Sequence, residues 1–244
     1  MLNLIGTGKN GECMIVEICT DCVEGALIAK KYGAKRIELC SALSVGGLTP
    51  SYGLIQQCVE KSSIEVHVMI RPKEGDFCYS KEDIELMKAD IIAAKKAGAK
   101  GVVFGILTAD NEVSILNKRL VDLSKSLSLE ITFHRAFDFV SNYKLAIEKL
   151  IEMKVNRLLT SGLQSTAEKG LSVITELQAN YGNKIQIMAG SGVNETNALK
   201  IASSGIQNLH FTARKSIQNS TKLSMGEETV VDEEKIKSII NLFK

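Results

Sequence analysis

KKYGAKRIELC (30–40) holds a helix end, a turn and a buried strand in one short stretch. The two lysines and Tyr32 close an amphipathic helix. Gly33 follows where a left-handed C-terminal cap is needed, because a residue without Cβ adopts that conformation at little cost. RIELC then reads as a near-continuous apolar strand, the pattern of a parallel strand covered on both faces. The same order recurs in KKAGAKGVVFGIL (95–107), IEMKVNRLLTSG (151–162) and IASSGIQNLHFTA (201–213). Working outward from these, eight strands are predicted at 14–19, 36–40, 65–71, 101–107, 129–135, 156–160, 185–189 and 208–212. Helical patterns fill the gaps between them.

Helix boundaries follow from capping chemistry. Thr49-Pro50 reads as an N-cap followed by a proline at the first helical position. Ser80 with apolar Ile84, Met87 and Ile91 opens a second helix. Ser165 and Glu168 read as a capping box, and 232–243 as a closing helix. Strand and helix alternate eight times in 244 residues, close to the roughly 250 typical of an α/β TIM (β/α)₈ barrel. An open doubly wound sheet is the competing fold, but it usually has a glycine-rich turn after its first strand. Cys19-Thr20-Asp21-Cys22 is not such a turn. A single barrel domain over 14–244 is expected, preceded by an N-terminal extension at 1–13. Residues 215–231 are the longest irregular segment.

Composition narrows the function. The chain has 30 basic and 28 acidic residues, a net charge of +2, no tryptophan and 45% hydrophobic residues. No charge run points to nucleic acid, and no apolar stretch is long enough for a membrane span. The first residues lack a basic start before an apolar run, so a cytoplasmic location is expected. Six cysteines in a reducing compartment read as buried thiols, metal ligands or reactive groups rather than disulfides.

Strand parity assigns side chains to the barrel interior. Facing inward are Glu17 and Cys19, Glu38 and Cys40, His67, Met69 and Arg71, Thr132 and His134, and His210 and Thr212. Glu17-Ile18-Cys19 and Glu38-Leu39-Cys40 end neighbouring strands about 5 Å apart, with the cysteines diagonal to each other. Two thiolates so placed can share one soft ion such as Cu(I), or both can be buried small hydrophobes. Cys22 can add a third sulfur or pack at a helix start. His134 and Asp138 can serve acid–base chemistry, or the imidazole can be satisfied by a neighbour. An interior Arg71 needs an anion, either Glu38, Glu17 or a bound carboxylate or phosphate. Past the later strands, Ser161, Gly190, Gly192 and Thr212 are placed to bind a ligand, a phosphate in particular. These residues leave an enzyme open as the alternative to a copper-binding protein. It would act on a small anionic or phosphorylated metabolite, with Arg71, His134 and Glu17 or Glu38 at its site.

VEIC (16–19), RIELC (36–40), GGLTPS (46–51), MIRPKEGDFCYS (69–80), TFHRAFD (132–138) and RLLTSG (157–162) occur in this order. Together they resemble the CutC family, from Met14 nearly to the C-terminus. Residues 1–13 lie outside the likeness. The resemblance implies a cytoplasmic TIM barrel that forms a homo-oligomer, dimer or tetramer. It also implies a role in copper homeostasis, with Cu(I) bound at the cysteines matching Cys19 and Cys40. One departure from the family pattern is CTDC, which has Cys22 at a variable position.

Overall fold

The computed structural model describes residues 14–217 and 228–244; the expected extension at 1–13 lies outside them. The chain alternates as the sequence predicts. β1 (Ile15–Thr20), α1 (Val23–Tyr32), β2 (Arg36–Leu39), α2 (Tyr52–Ser62), β3 (Glu65–Met69), α3 (Lys81–Lys96), β4 (Gly101–Phe104) and α4 (Asn117–Ser126) form one half. β5 (Glu130–Phe133), α5 (Tyr143–Glu152), β6 (Arg157–Thr160), α6 (Leu171–Tyr181), β7 (Gln186–Ala189), α7 (Ala198–Ala202) and β8 (Asn208–Thr212) continue it. The eight strands hydrogen-bond in chain order, and β1 closes on β8, so the sheet is a complete parallel TIM barrel. Among the described residues, no helix is long and apolar enough to cross a membrane.

Of the segment expected to be irregular, 218–227 lies outside the described residues, and its two ends form strands. β9 (Arg214–Ser216) pairs antiparallel with β10 (Thr229–Val231), and α8 (Glu233–Asn241) closes the chain. Two caps also differ from expectation. Ser51, not Thr49, caps α2, because the Thr49 hydroxyl is already taken by the backbone N–H of Arg71 at 2.9 Å. Ser165 caps nothing: α6 starts six residues later behind Gly170, and Glu168 pairs instead with Lys200 at 2.8 Å. The Ser80 cap is present, and Asp83 completes a reciprocal box with it.

Alternate strand residues take opposite roles. Val16, Ile18, Ile37, Leu39, Val66 and Val68 face the helices and form a continuous apolar core with them. The inner face is different. Such barrels are usually filled by branched apolar side chains, whereas this one carries two guanidiniums. Arg36 bonds Glu17 at 2.5 Å and Asn208 at 3.0 Å. Arg157 bonds Glu130 at 2.8 Å, Thr132 at 3.0 Å and Gln186 at 3.0 Å. Buried charge is tolerated only when paired and hydrogen-bonded, and these two are.

The chain's three histidines also sit inside the barrel, each against a glycine of a neighbouring strand or strand end. A Cβ at Gly101 would lie 2.6 Å from the His67 ring, and one at Gly105 would lie 2.8 Å from the His134 ring. Gly190 leaves the same kind of space for His210 and Leu159. The glycines therefore make room for imidazoles in a narrow lumen.

Candidate functional site

At the C-terminal end of the strands the barrel opens into a cavity of about 1090 Å³. Cys19, Glu38, Met69, Arg71, His134 and His210 form part of its wall. Parallel pairing sets Cys19 opposite Glu38, so Cys40 falls two residues farther along β2. The diagonal still brings the sulfurs together, with Cys19 Sγ 3.9 Å from Cys40 Sγ. Both thiols are buried, and with Met69 and Val103 they form a small cluster separate from the main core. Gly47 roofs Cys40: a Cβ there would lie 3.1 Å from its sulfur, and its φ of +90° suits only glycine.

A charged chain runs beneath the sulfurs. Glu17 bonds Arg36 through one oxygen and His210 Nδ1, at 2.8 Å, through the other. His210 Nε2 lies 3.7 Å from Glu38. Cys40 Sγ lies 3.6 Å from Glu38 Oε2, while among the described residues Glu38 Oε1 has no hydrogen-bond partner. Two donor groups meet at Glu38, the first being Cys19, Glu38 and Cys40 and the second Glu17, Glu38 and His210. Within each, the ligand atoms lie within 4.8 Å of one another.

This packing sets the protonation. Burial alone would raise the Glu17 carboxyl, but Arg36 and then His210 hold it far below the usual carboxylate range. Burial and the Cys19 sulfur push Glu38 well above that range. The hydrogen bond from Cys40 holds Cys19 well below an ordinary thiol despite its burial, and His210 adds to the effect. Cys40 rises well above an ordinary thiol because it shares that contact and is buried. Burial opposes protonation of His210, but Glu38, Cys19 and Glu17 together raise it well above a free imidazole. These directions favour a thiolate at Cys19 beside a thiol at Cys40, a neutral carboxyl at Glu38, a carboxylate at Glu17 and an imidazolium at His210. The ultraviolet thiolate absorbance of metal-free protein is expected to persist well below the ordinary thiol range. It should vanish in Cys19→Ala and survive in Cys58→Ala. Titration of the Cys19 thiol at the ordinary thiol pH would sink this assignment.

The other expected site residues fall into two groups. Arg71, Gly192 and Thr212 line the cavity with Glu38 and His134. Glu17, Asp138, Ser161 and Gly190 do not line it. Glu17 has both oxygens engaged below the floor. Asp138 does not pair with His134. The 3₁₀ turn Arg135–Phe139 carries it to the end of β6, where it accepts from Ser161 N at 3.0 Å and pairs with Arg135 at 2.8 Å. Ser161 donates to the same carboxylate at 2.8 Å. Among the described residues no carboxylate pairs with Arg71, and its guanidinium is held by the carbonyls of Val45, Gly47 and Gly75 at 2.8, 3.1 and 2.9 Å. Cys22 is an N-cap, its sulfur accepting from Gly25 N at 3.4 Å, and it stays apart from the sulfur pair. Arg36, Arg157 and Phe77 were missed in the sequence. Arg36 was within reach, since it shares the inward parity of Glu38.

Residues 14–215 match the model of the CutC family. A family protein CutC from Vibrio vulnificus (strain CMCP6) is 43% identical over 201 residues, 82% of this chain and 80% of the relative. One from Bacteroides thetaiotaomicron is 44% identical over 225 residues, 89% of this chain and 90% of the relative. A solved structure from Streptococcus agalactiae, described as a candidate copper homeostasis protein CutC, superposes with a TM-score of 0.76 at 31% identity. The match covers 81% of this chain and 98% of that one. Thiamine phosphate pyrophosphorylase from Pyrococcus furiosus, at 14% identity and a TM-score of 0.57, shares the fold alone.

Proposed function

This chain belongs to the CutC family, and we propose that it binds copper as Cu(I) between Cys19 and Cys40, as part of copper homeostasis. The observation behind this is the sulfur pair itself, two buried sulfurs 3.9 Å apart at the floor of an open cavity. Thiolate is a soft ligand and suits Cu(I) over the hard cations. Cys19 and Cys40 would hold the ion through their sulfurs, and a third donor could complete the site. Glu38 lies within reach and has an oxygen to spare. The copper homeostasis name given to the Streptococcus agalactiae structure agrees with this reading.

The residues expected to act chemically on a metabolite support proton transfer less well. Glu17 and Asp138 are tied into ion pairs away from the cavity, so the wall offers ligand capture more readily than a free base. A reducing compartment suits the site, because the described cysteines are all free thiols and oxidation of the pair would remove the ligands. The cytoplasm meets that need. Assembly as a dimer or tetramer rests on the family resemblance.

The test is X-ray absorption at the copper edge on protein loaded anaerobically with Cu(I). One equivalent with sulfur neighbours is expected. A spectrum dominated by nitrogen and oxygen neighbours would overturn the proposal.

A further inference from the structure

We propose that the cavity also takes a small organic acid, with its carboxylate held between Arg71 and His134 and with Phe77 as the movable cover. Charge balance gives the first argument. The barrel's other buried guanidiniums are paired, Arg36 with Glu17 and Arg157 with Glu130. Arg71 is only 5% exposed, yet among the described residues it has no carboxylate within 4.0 Å. Its three carbonyl contacts satisfy hydrogens but leave the positive charge uncompensated, and its Nε has no partner. A buried unpaired charge on a cavity wall is costly unless a ligand completes it.

His134 gives the second argument independently. Its Nδ1 accepts from the backbone N–H of Ala136 at 3.2 Å, so the ring proton sits on Nε2. That Nε2 is buried and has no partner. Burial and then Arg71 push the imidazole down to about 3, so it stays a neutral N–H donor throughout the physiological range. One cationic donor and one neutral donor thus stand unfilled in one wall. A carboxylate offers two oxygens to such a pair.

A single ring covers both. Phe77 lies 5.0 Å from the His134 ring, and the Arg71 guanidinium carbon stands 5.5 Å from the Phe77 ring centre. Leu107 N fixes the Phe77 carbonyl at 2.9 Å, so the ring can turn while its backbone stays in place. The ring also stands 5.5 Å from that of Phe139, itself 60% exposed. Inorganic phosphate presents the same oxygens. The neighbouring apolar wall of Leu107 and Phe139 favours an acid with a short carbon body.

The test is isothermal titration of metal-free protein with pyruvate, malonate and inorganic phosphate, from about pH 6 to about pH 8. Millimolar or tighter binding of at least one carboxylate is expected, with no change across that range. Arg71→Gln and His134→Phe should each weaken it by about tenfold or more, the usual loss with a charge-assisted or buried hydrogen bond. His134→Phe leaves the loop contacts of Arg71 intact, so it decides the matter if Arg71→Gln does not fold. Phe77→Ala should speed association. Cys19→Ala/Cys40→Ala should leave anion binding unchanged, which separates this site from copper. The proposal is overturned by phosphate binding alone, by no carboxylate binding at millimolar concentration, or by affinity indifferent to His134→Phe.

Discussion

Cys19→Ala is expected to lower Cu(I) affinity by more than about 100-fold, and Cys40→Ala to do the same. Removing a residue that merely orients a metal ligand typically costs about 10–100-fold, so losing one of two sulfurs should cost more. The effect should be symmetric even though the thiols are not. Cys19 faces the cavity while Cys40 lies behind it under Gly47, but a shared ion needs both. Glu38→Gln keeps the shape and one acceptor oxygen, so its loss should stay within the lower range. Cys58 is the control. It is buried on the outer face of the barrel among helix-packing residues, so Cys58→Ala should cost stability and leave affinity alone. Competition against a Cu(I) chelator measures all four, and equal affinity in wild type and both site variants would refute the assignment.

Arg36→Met should destabilise the fold by about 3 kcal/mol, because it removes one of the two charged partners of the buried Glu17 carboxylate. Methionine fills a similar volume, so most of the loss comes from charge rather than from a cavity. In a chain of this size that corresponds to a fall in Tm of roughly 10 °C. Adding Glu17→Gln should restore part of it, since removing both charges costs less than leaving one. Acid adds a second check. The Glu17 carboxyl is depressed in the folded protein, so its contribution is complete above the unfolded value of 4.5. It fades as the pH falls below that value toward the folded one. Wild type should therefore lose stability below that pH more steeply than Arg36→Met. Thermal unfolding followed by circular dichroism across acid pH reads both, and coincident curves would show that the pair contributes little.

Much of this was legible in the sequence because the rules involved are local. A glycine or a short polar turn after an amphipathic helix and before an apolar run marked where the strands begin, although β3, β4 and β5 end two or three residues earlier than expected. Strict alternation of side chains then put Cys19, Glu38, Cys40, His134 and His210 inside. Legibility failed where a residue lay beyond a strand or answered to a distant partner. Asp138 sits within a 3₁₀ turn, to which parity does not apply, and apart from Arg135 its partners come from the end of β6 and the turn after it, more than twenty residues away. Arg71 is held by loop carbonyls, which leave no mark in a sequence. Arg36 carried the right parity but looked like an ordinary polar strand opening. Its role became visible only when β8 closed on β1 and brought Asn208 and His210 alongside.

The three carbonyls around Arg71 have a mechanical consequence. Val45 and Gly47 belong to the loop after β2, and Gly75 to the loop after β3, the one that carries Phe77. One guanidinium fastens the two loops like a rivet. Gly47 is also the residue that presses on the sulfur of Cys40. The roof of the sulfur pair and the loop that carries Phe77 are thus tied through one side chain, and Arg71 braces both compartments at once.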